Sequence, residues 1–134
     1  MDWRGLKAPS LADFERMADE VFARLPARFR VRCEGLVIRV EDFPSDEVLD
    51  HMGLESPFDL LGLYHGTGQP HELSGAVTHL PDMVFLYRRP MLDYWSEYDE
   101  TLGHLIAHVL IHEIGHHLGF SDGDMHALEA ETGR

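Results

Sequence analysis

A single cysteine, a shortage of basic side chains and the lack of any long apolar run set the first limits on this chain of 134 residues. Cys33 has no second thiol to pair with, so no internal disulfide forms and nothing marks an oxidising compartment. No stretch approaches the roughly 18 apolar residues of a membrane span, and Met1-Asp2-Trp3-Arg4-Gly5-Leu6-Lys7 has no apolar core of a signal peptide. A cytoplasmic protein is expected. With 11 Lys and Arg against 24 Asp and Glu, the formal charge of −13 repels nucleic acid and anionic membranes, so neither is an expected partner. Repeats, linkers and low-complexity tracts are also missing. The glycines of the 66–75 stretch make no phosphate loop, having neither the lysine nor the following helix that one needs. A length of 134 residues with 44% hydrophobic content fits one soluble domain with one core, residues 1–9 being a loosely attached start.

What the chain has in abundance is histidine, 10 in all, and one stretch uses it in an ordered way: His112-Glu113-Ile114-Gly115-His116-His117-Leu118-Gly119-Phe120-Ser121-Asp122. On a helix His112 and His116 share one face in consecutive turns, with Cβ atoms roughly 5–6 Å apart, which suits two nitrogens on one ion. Glu113 is turned by about 100° from His112. Its carboxylate then lies beside the ligand set, within reach of a proton on water at the metal. Gly119 sits where helices commonly end in a left-handed residue, letting the chain turn back and carry Asp122 to the ion. In a histidine-rich chain the five-residue H-E-x-x-H is weak alone; Gly119 and Asp122 give it specificity. Leu105, Ile106, Val109, Leu110, Ile111, Ile114 and Leu118 make the flanks apolar nearly all round, as in a buried helix. Imidazoles and a carboxylate there need partners, and a divalent cation supplies one for all of them. Asp122 could instead cap the last helix, and Asp124 or His126 could reach the ion.

Read from its start, the chain predicts a helix over residues 10–25, where Ser10 and Asp13 form a capping box ahead of Leu11, Phe14, Met17, Ala18, Val21 and Phe22, and Pro26 stops it. Arg28 to Arg32 alternates charge and apolarity, the pattern of a strand or of an exposed linker. Leu36 to Val40 is a strand rich in β-branched residues. A short helix follows Pro44-Ser45-Asp46-Glu47 and ends at Gly53. A strand is expected over Leu61 to His65, then an exposed, mobile loop from Gly66 to Gly75. The strand within Pro81 to Pro90 is bounded by prolines, which belong at sheet edges or strand ends, and as an edge it would offer an extended peptide a place to pair. Pro90 to Trp95 suggests a short helical turn. Asp99 or Thr101 then caps the metal helix, which runs to about Leu118, and Ser121 or Asp122 opens a final helix through Met125 and Leu128.

These motifs resemble the zincins, and within them the metzincin pattern H-E-x-x-H-x-x-G-x-x-D with aspartate as third ligand. The chain is closer still to the minimal zincin metallopeptidases, which share the His-Glu-Ile-Gly-His-His helix, the Gly-Phe-Ser-Asp turn and an upstream Leu-Leu-Gly-Leu-Tyr-His-Gly segment, together spanning most of residues 10–131. The resemblance implies an α+β fold in which a small mixed sheet packs on a central metal-binding helix. It implies one Zn²⁺ on His112, His116 and Asp122, with Glu113 as the general base that hydrolyses a peptide or protein substrate. Larger metzincins follow the third ligand with a separate methionine turn and a subdomain walling the cleft. Here Met125 lies only three residues past Asp122 and is expected to pack under the site.

Other residues have plainer readings. His108 and His104 continue the four-residue spacing backward but drift about 40° per step. His108 is expected to be hydrogen-bonded beside the site, His104 structural or exposed, His117 beside the site or at the surface. His51, His65, His71 and His79 read as solvated loop histidines. Tyr64, His65, His79, Tyr87 and Tyr94 are the candidates for stabilising an oxyanion. Cys33 reads as a packing thiol, and Arg88 and Arg89 as an exposed strand end, with binding of a substrate carboxylate as the alternative. A zinc hydrolase, a metallopeptidase in particular, is the leading reading, and a zincin-fold module that binds metal or peptide without turnover is the second. A three-histidine metal-dependent ribonuclease is disfavoured by Glu113, Asp122 and the acidic charge.

Overall fold

The computed structural model describes residues 2–66 and 81–132. Ser10 caps helix α1 (Leu11–Arg24): its hydroxyl accepts from the Asp13 amide while the Asp13 carboxylate accepts from the Ser10 amide, satisfying two otherwise orphaned donors. Phe14, Ala18 and Val21 form its buried stripe. A single turn, α2 (Ala27–Arg30), and a 3-10 turn over Val31–Cys33 follow. The alternating Arg28 to Arg32 segment is therefore helical, neither strand nor linker. Coiling sets Phe29 edge-on to Phe120 at 5.5 Å and lets Arg32 donate to the Leu118 carbonyl, contacts between distant parts of the chain that outweigh a two-residue alternation.

Strand β1 (Val37–Glu41), helix α3 (Asp46–Met52) and strand β2 (Gly62–His65) come next, then strand β3 (Met83–Tyr87). The three strands form a mixed sheet of order β1-β3-β2, with β1 parallel to β3 (Val37 opposite Met83) and β2 antiparallel to it (His65 opposite Met83). This overturns the expectation of an edge at Pro81 to Pro90. β3 is the middle strand, and its residues Val84, Leu86 and Tyr87 are almost wholly buried. Both prolines fall outside the strand, Pro81 before it and Pro90 in the first turn of the next helix, so neither interrupts the ladder.

That next helix, α4 (Arg88–Glu97), is longer than a turn and starts directly from β3, anchored by Arg88, which donates to the Pro9 carbonyl and pairs with Asp42. The central helix α5 (Leu102–Leu118) begins at Thr101, whose hydroxyl accepts from the His104 amide. It packs against α1, β2, β3, α4 and the last helix, α6 (Asp122–Thr132). Ile106, Leu110 and Ile114 are fully covered. Each contributes on the order of 1.5–3 kcal/mol of burial, which makes α5 the axis of the core. The sheet on one side and α1 and α6 on others give the α+β layering that the sequence implied. No helix among the described residues is long and apolar enough to cross a membrane. Residues 67–75 of the expected loop, with His71, and likewise His79, lie outside the described residues.

Candidate metal centre

The last turn of α5 carries the site. Helical spacing sets the rings of His112 and His116 with centroids 4.7 Å apart, and donor atoms of His112, Glu113 and His116 all lie within 4.8 Å of one another. His112 is half-buried, Glu113 buried and His116 exposed, so the group reaches solvent at His116. The Glu113 carboxylate accepts from His116 Nδ1 at 3.0 Å. A carboxylate can only accept here, so Nδ1 carries the proton and Nε2 is the lone-pair end of that ring. Two nitrogens and a carboxylate so gathered suit a borderline divalent ion such as Zn²⁺.

Two glycines bring other elements this close. At Gly62 a β-carbon would stand 2.7 Å from Val109 Cγ1, 3.1 Å from the Phe85 carbonyl oxygen and 3.5 Å from Glu113 Cγ, so only glycine lets β2 press on α5 beside the carboxylate. At Gly115 it would stand 2.6 Å from Met125 Cγ, so Met125, buried, seats α6 against the turn between the two histidines. The methionine does pack under the site.

The helix ends as a Schellman motif: Gly119 is left-handed (φ 74°), its amide donates to His116 O, and the Phe120 amide donates to Gly115 O at 2.9 Å. The turn delivers Ser121, which caps α6. Its hydroxyl accepts from the Asp124 amide and the Asp124 carboxylate accepts from the Ser121 amide, both at 3.2 Å. Ser121 and Asp124 therefore take the capping role. Asp122, the first residue of α6, is exposed and stands outside the His112, Glu113 and His116 group. It lines with His112, Met125 and His126 a cavity of about 310 Å³ between α5 and α6, and its carboxylate makes no hydrogen bond among the described residues.

The remaining histidines sort by contact. His108, exposed, donates from Nδ1 to Glu129 at 2.9 Å, and His104 is exposed. His117 Nε2 donates to the Arg32 carbonyl at 3.1 Å, so its Nδ1 accepts from the Tyr64 hydroxyl, also at 3.1 Å, with Asp82 3.4 Å away. His117 thus ties β2 and the 3-10 turn to the end of α5. His65, read as a solvated loop residue, is buried at the end of β2, whereas His51 is exposed. Among the oxyanion candidates, Tyr87 is sealed in the core. Burial, with Glu41 and Glu113 nearby, pushes its phenol far above the usual range. Tyr94 stacks on Tyr98 at 4.3 Å. Burial also raises the Tyr64 phenol, Asp82 adding to the effect. The carboxylate partners of His116 and His108 were not read from the sequence. The i,i+3 step from Glu113 to His116 could have signalled the first, while the second joins residues on two helices.

Residues 33–132 match the family model described as zincin-like metallopeptidase, and the chain belongs to that family. No curated protein sequence matches the chain.

Proposed function

We propose that the protein is a zinc-dependent peptidase in which His112, His116 and Asp122 hold one Zn²⁺ and Glu113 is the general base. The observation that carries the reading is the division of labour at the start of α6. Ser121 and Asp124 satisfy the helix end, so the Asp122 carboxylate is left uncommitted on the cavity wall that it shares with His112. Two imidazoles and one carboxylate leave a fourth position open, as catalytic rather than structural zinc sites do. Held by these residues, a zinc ion would lower the pKa of its water toward neutrality and polarise the carbonyl under attack.

The chain's own groups do the rest. Glu113 takes the proton from the attacking water and returns it to the leaving amine, a role that its buried position beside both histidines supports. His116, donating to Glu113, keeps the carboxylate aimed at the site and its own Nε2 toward the ion.

The test uses zinc-loaded protein on a peptide library with mass-spectrometric readout. Wild type cleaves, while Glu113→Gln retains its zinc and loses about 10²–10⁴ in rate. Wild type equally inert with zinc bound would reverse the reading in favour of a metal- or peptide-binding module. Loss of the metal with Asp122→Ala, measured by equilibrium dialysis, checks the third ligand separately.

A further inference from the structure

Toward the start of α5, a second cavity of about 860 Å³ opens between α5 and α6, sharing His108, His126 and Glu129 with the 310 Å³ cavity beside the metal centre. Three imidazoles line it: His104 and His108 from α5 and His126 from α6, with Glu129 beside them. His104 and His108 repeat the four-residue spacing of His112 and His116, so their rings lie on one face in consecutive turns. His108 repeats a further detail. Its Nδ1 donates to both Glu129 oxygens, at 2.9 and 3.0 Å, as His116 Nδ1 donates to Glu113. A carboxylate on Nδ1 fixes tautomer and ring orientation and makes Nε2 a better ligand, the arrangement that metal-binding histidines share.

His104 and His126 are exposed, and among the described residues their side chains make no hydrogen bond, so both can swing into the cavity without breaking a contact. Their nitrogens are not already gathered within 4.8 Å as those of His112 and His116 are. Closing the site therefore costs rotamer entropy, and its affinity falls below that of the centre at the end of α5.

We infer that α5 and α6 form a second divalent-cation site, with His104, His108 and His126 as ligands and Glu129 as the carboxylate that orients His108. Its cation is of the imidazole-preferring class, Zn²⁺ or Ni²⁺, with water completing the shell. It adjoins the first site, the ring of His108 stacking on that of His112 with centroids 6.5 Å apart. The inference does not rest on peptidase activity.

Chelator-stripped full-length protein titrated with Zn²⁺ in equilibrium dialysis, with elemental analysis, decides it. Wild type binds two equivalents, the second more weakly, and His104→Ala weakens only the second, by tenfold or more. His112→Ala/His116→Ala keeps one equivalent, which His104→Ala added on that background removes. Saturation of wild type at one equivalent overturns the site, as does a second equivalent indifferent to His104→Ala. Should circular dichroism show the His112→Ala/His116→Ala protein unfolded, the exposed His104→Ala substitution decides alone. Loss of hydrolysis with both equivalents intact would count against the peptidase and leave this site standing.

Discussion

Glu113 Oε1 and His116 Nδ1 stand 3.0 Å apart, one turn of α5 binding its carboxylate to its own outer histidine. The bond gives Glu113 two tasks, holding the imidazole and handling a proton, and the two separate on substitution. Gln at position 113 still accepts from Nδ1 but is no base. Ala does neither. Glu113→Gln is expected to keep zinc affinity within a few fold, whereas Glu113→Ala loses about 10–100-fold. Competition titration with a chromogenic chelator measures both, and equal affinities for the two variants would remove the positioning role.

Gly62→Ala places a methyl group against Val109 and the rigid Phe85 carbonyl. The cost is expected at about 1–3 kcal/mol from overpacking. Val109→Ala in the same chain recovers part of it, because the nearest obstacle is then gone. Urea denaturation of the single and double variants measures the coupling; additive losses would show that the close approach of β2 to α5 is unimportant.

Gly119→Ala must hold a Cβ at φ 74°, a conformation that costs an L residue roughly 1–2 kcal/mol. Asn tolerates it better. The expected order of thermal stability is Gly, then Asn, then Ala, and Gly119→Ala should also weaken zinc binding, since the turn carries Asp122. Calorimetry and dialysis read the two effects.

The raised pKa of Tyr87 gives a pH prediction with a definite sign. The folded protein keeps this phenol protonated, burial being the main cause, while the unfolded chain releases the proton near pH ~10. Tyr87 therefore costs nothing below that pH. Above it the unfolded state binds fewer protons than the folded state, so stability falls as pH rises. One such group gives at most about 1.4 kcal/mol per pH unit. Tyr87→Phe should flatten the decline in urea-measured stability above pH ~10, and an unchanged slope would show that the phenol titrates freely.

Elements marked by short-range chemistry were legible in the sequence. The Ser10 and Asp13 box, the Gly119 stop and the apolar girth of α5 each depend on residues within a few positions, and each stands where the pattern put it. The proximity of His112, Glu113 and His116 was legible for the same reason, a helix alone being enough to create it. Arg28 to Arg32 misled because its conformation is set by Phe120 and Leu118, about ninety positions away. The middle place of β3 was hidden too. Prolines at a strand's two ends cannot say which neighbours pair between them. The relation of Asp122 to the histidines depends on how α6 packs on α5, which Gly115 and Met125 govern together.

That packing exposes the protein to one kind of chemical damage. Met125 Sδ lies 3.0 Å from where a β-carbon on Gly115 would stand, so a sulfoxide oxygen there has little space and would lever α6 outward, carrying Asp122 with it. Peroxide should therefore strip the ion before it unfolds the core, methionine sulfoxide reductase should restore retention, and Met125→Leu should make retention of the ion insensitive to oxidant.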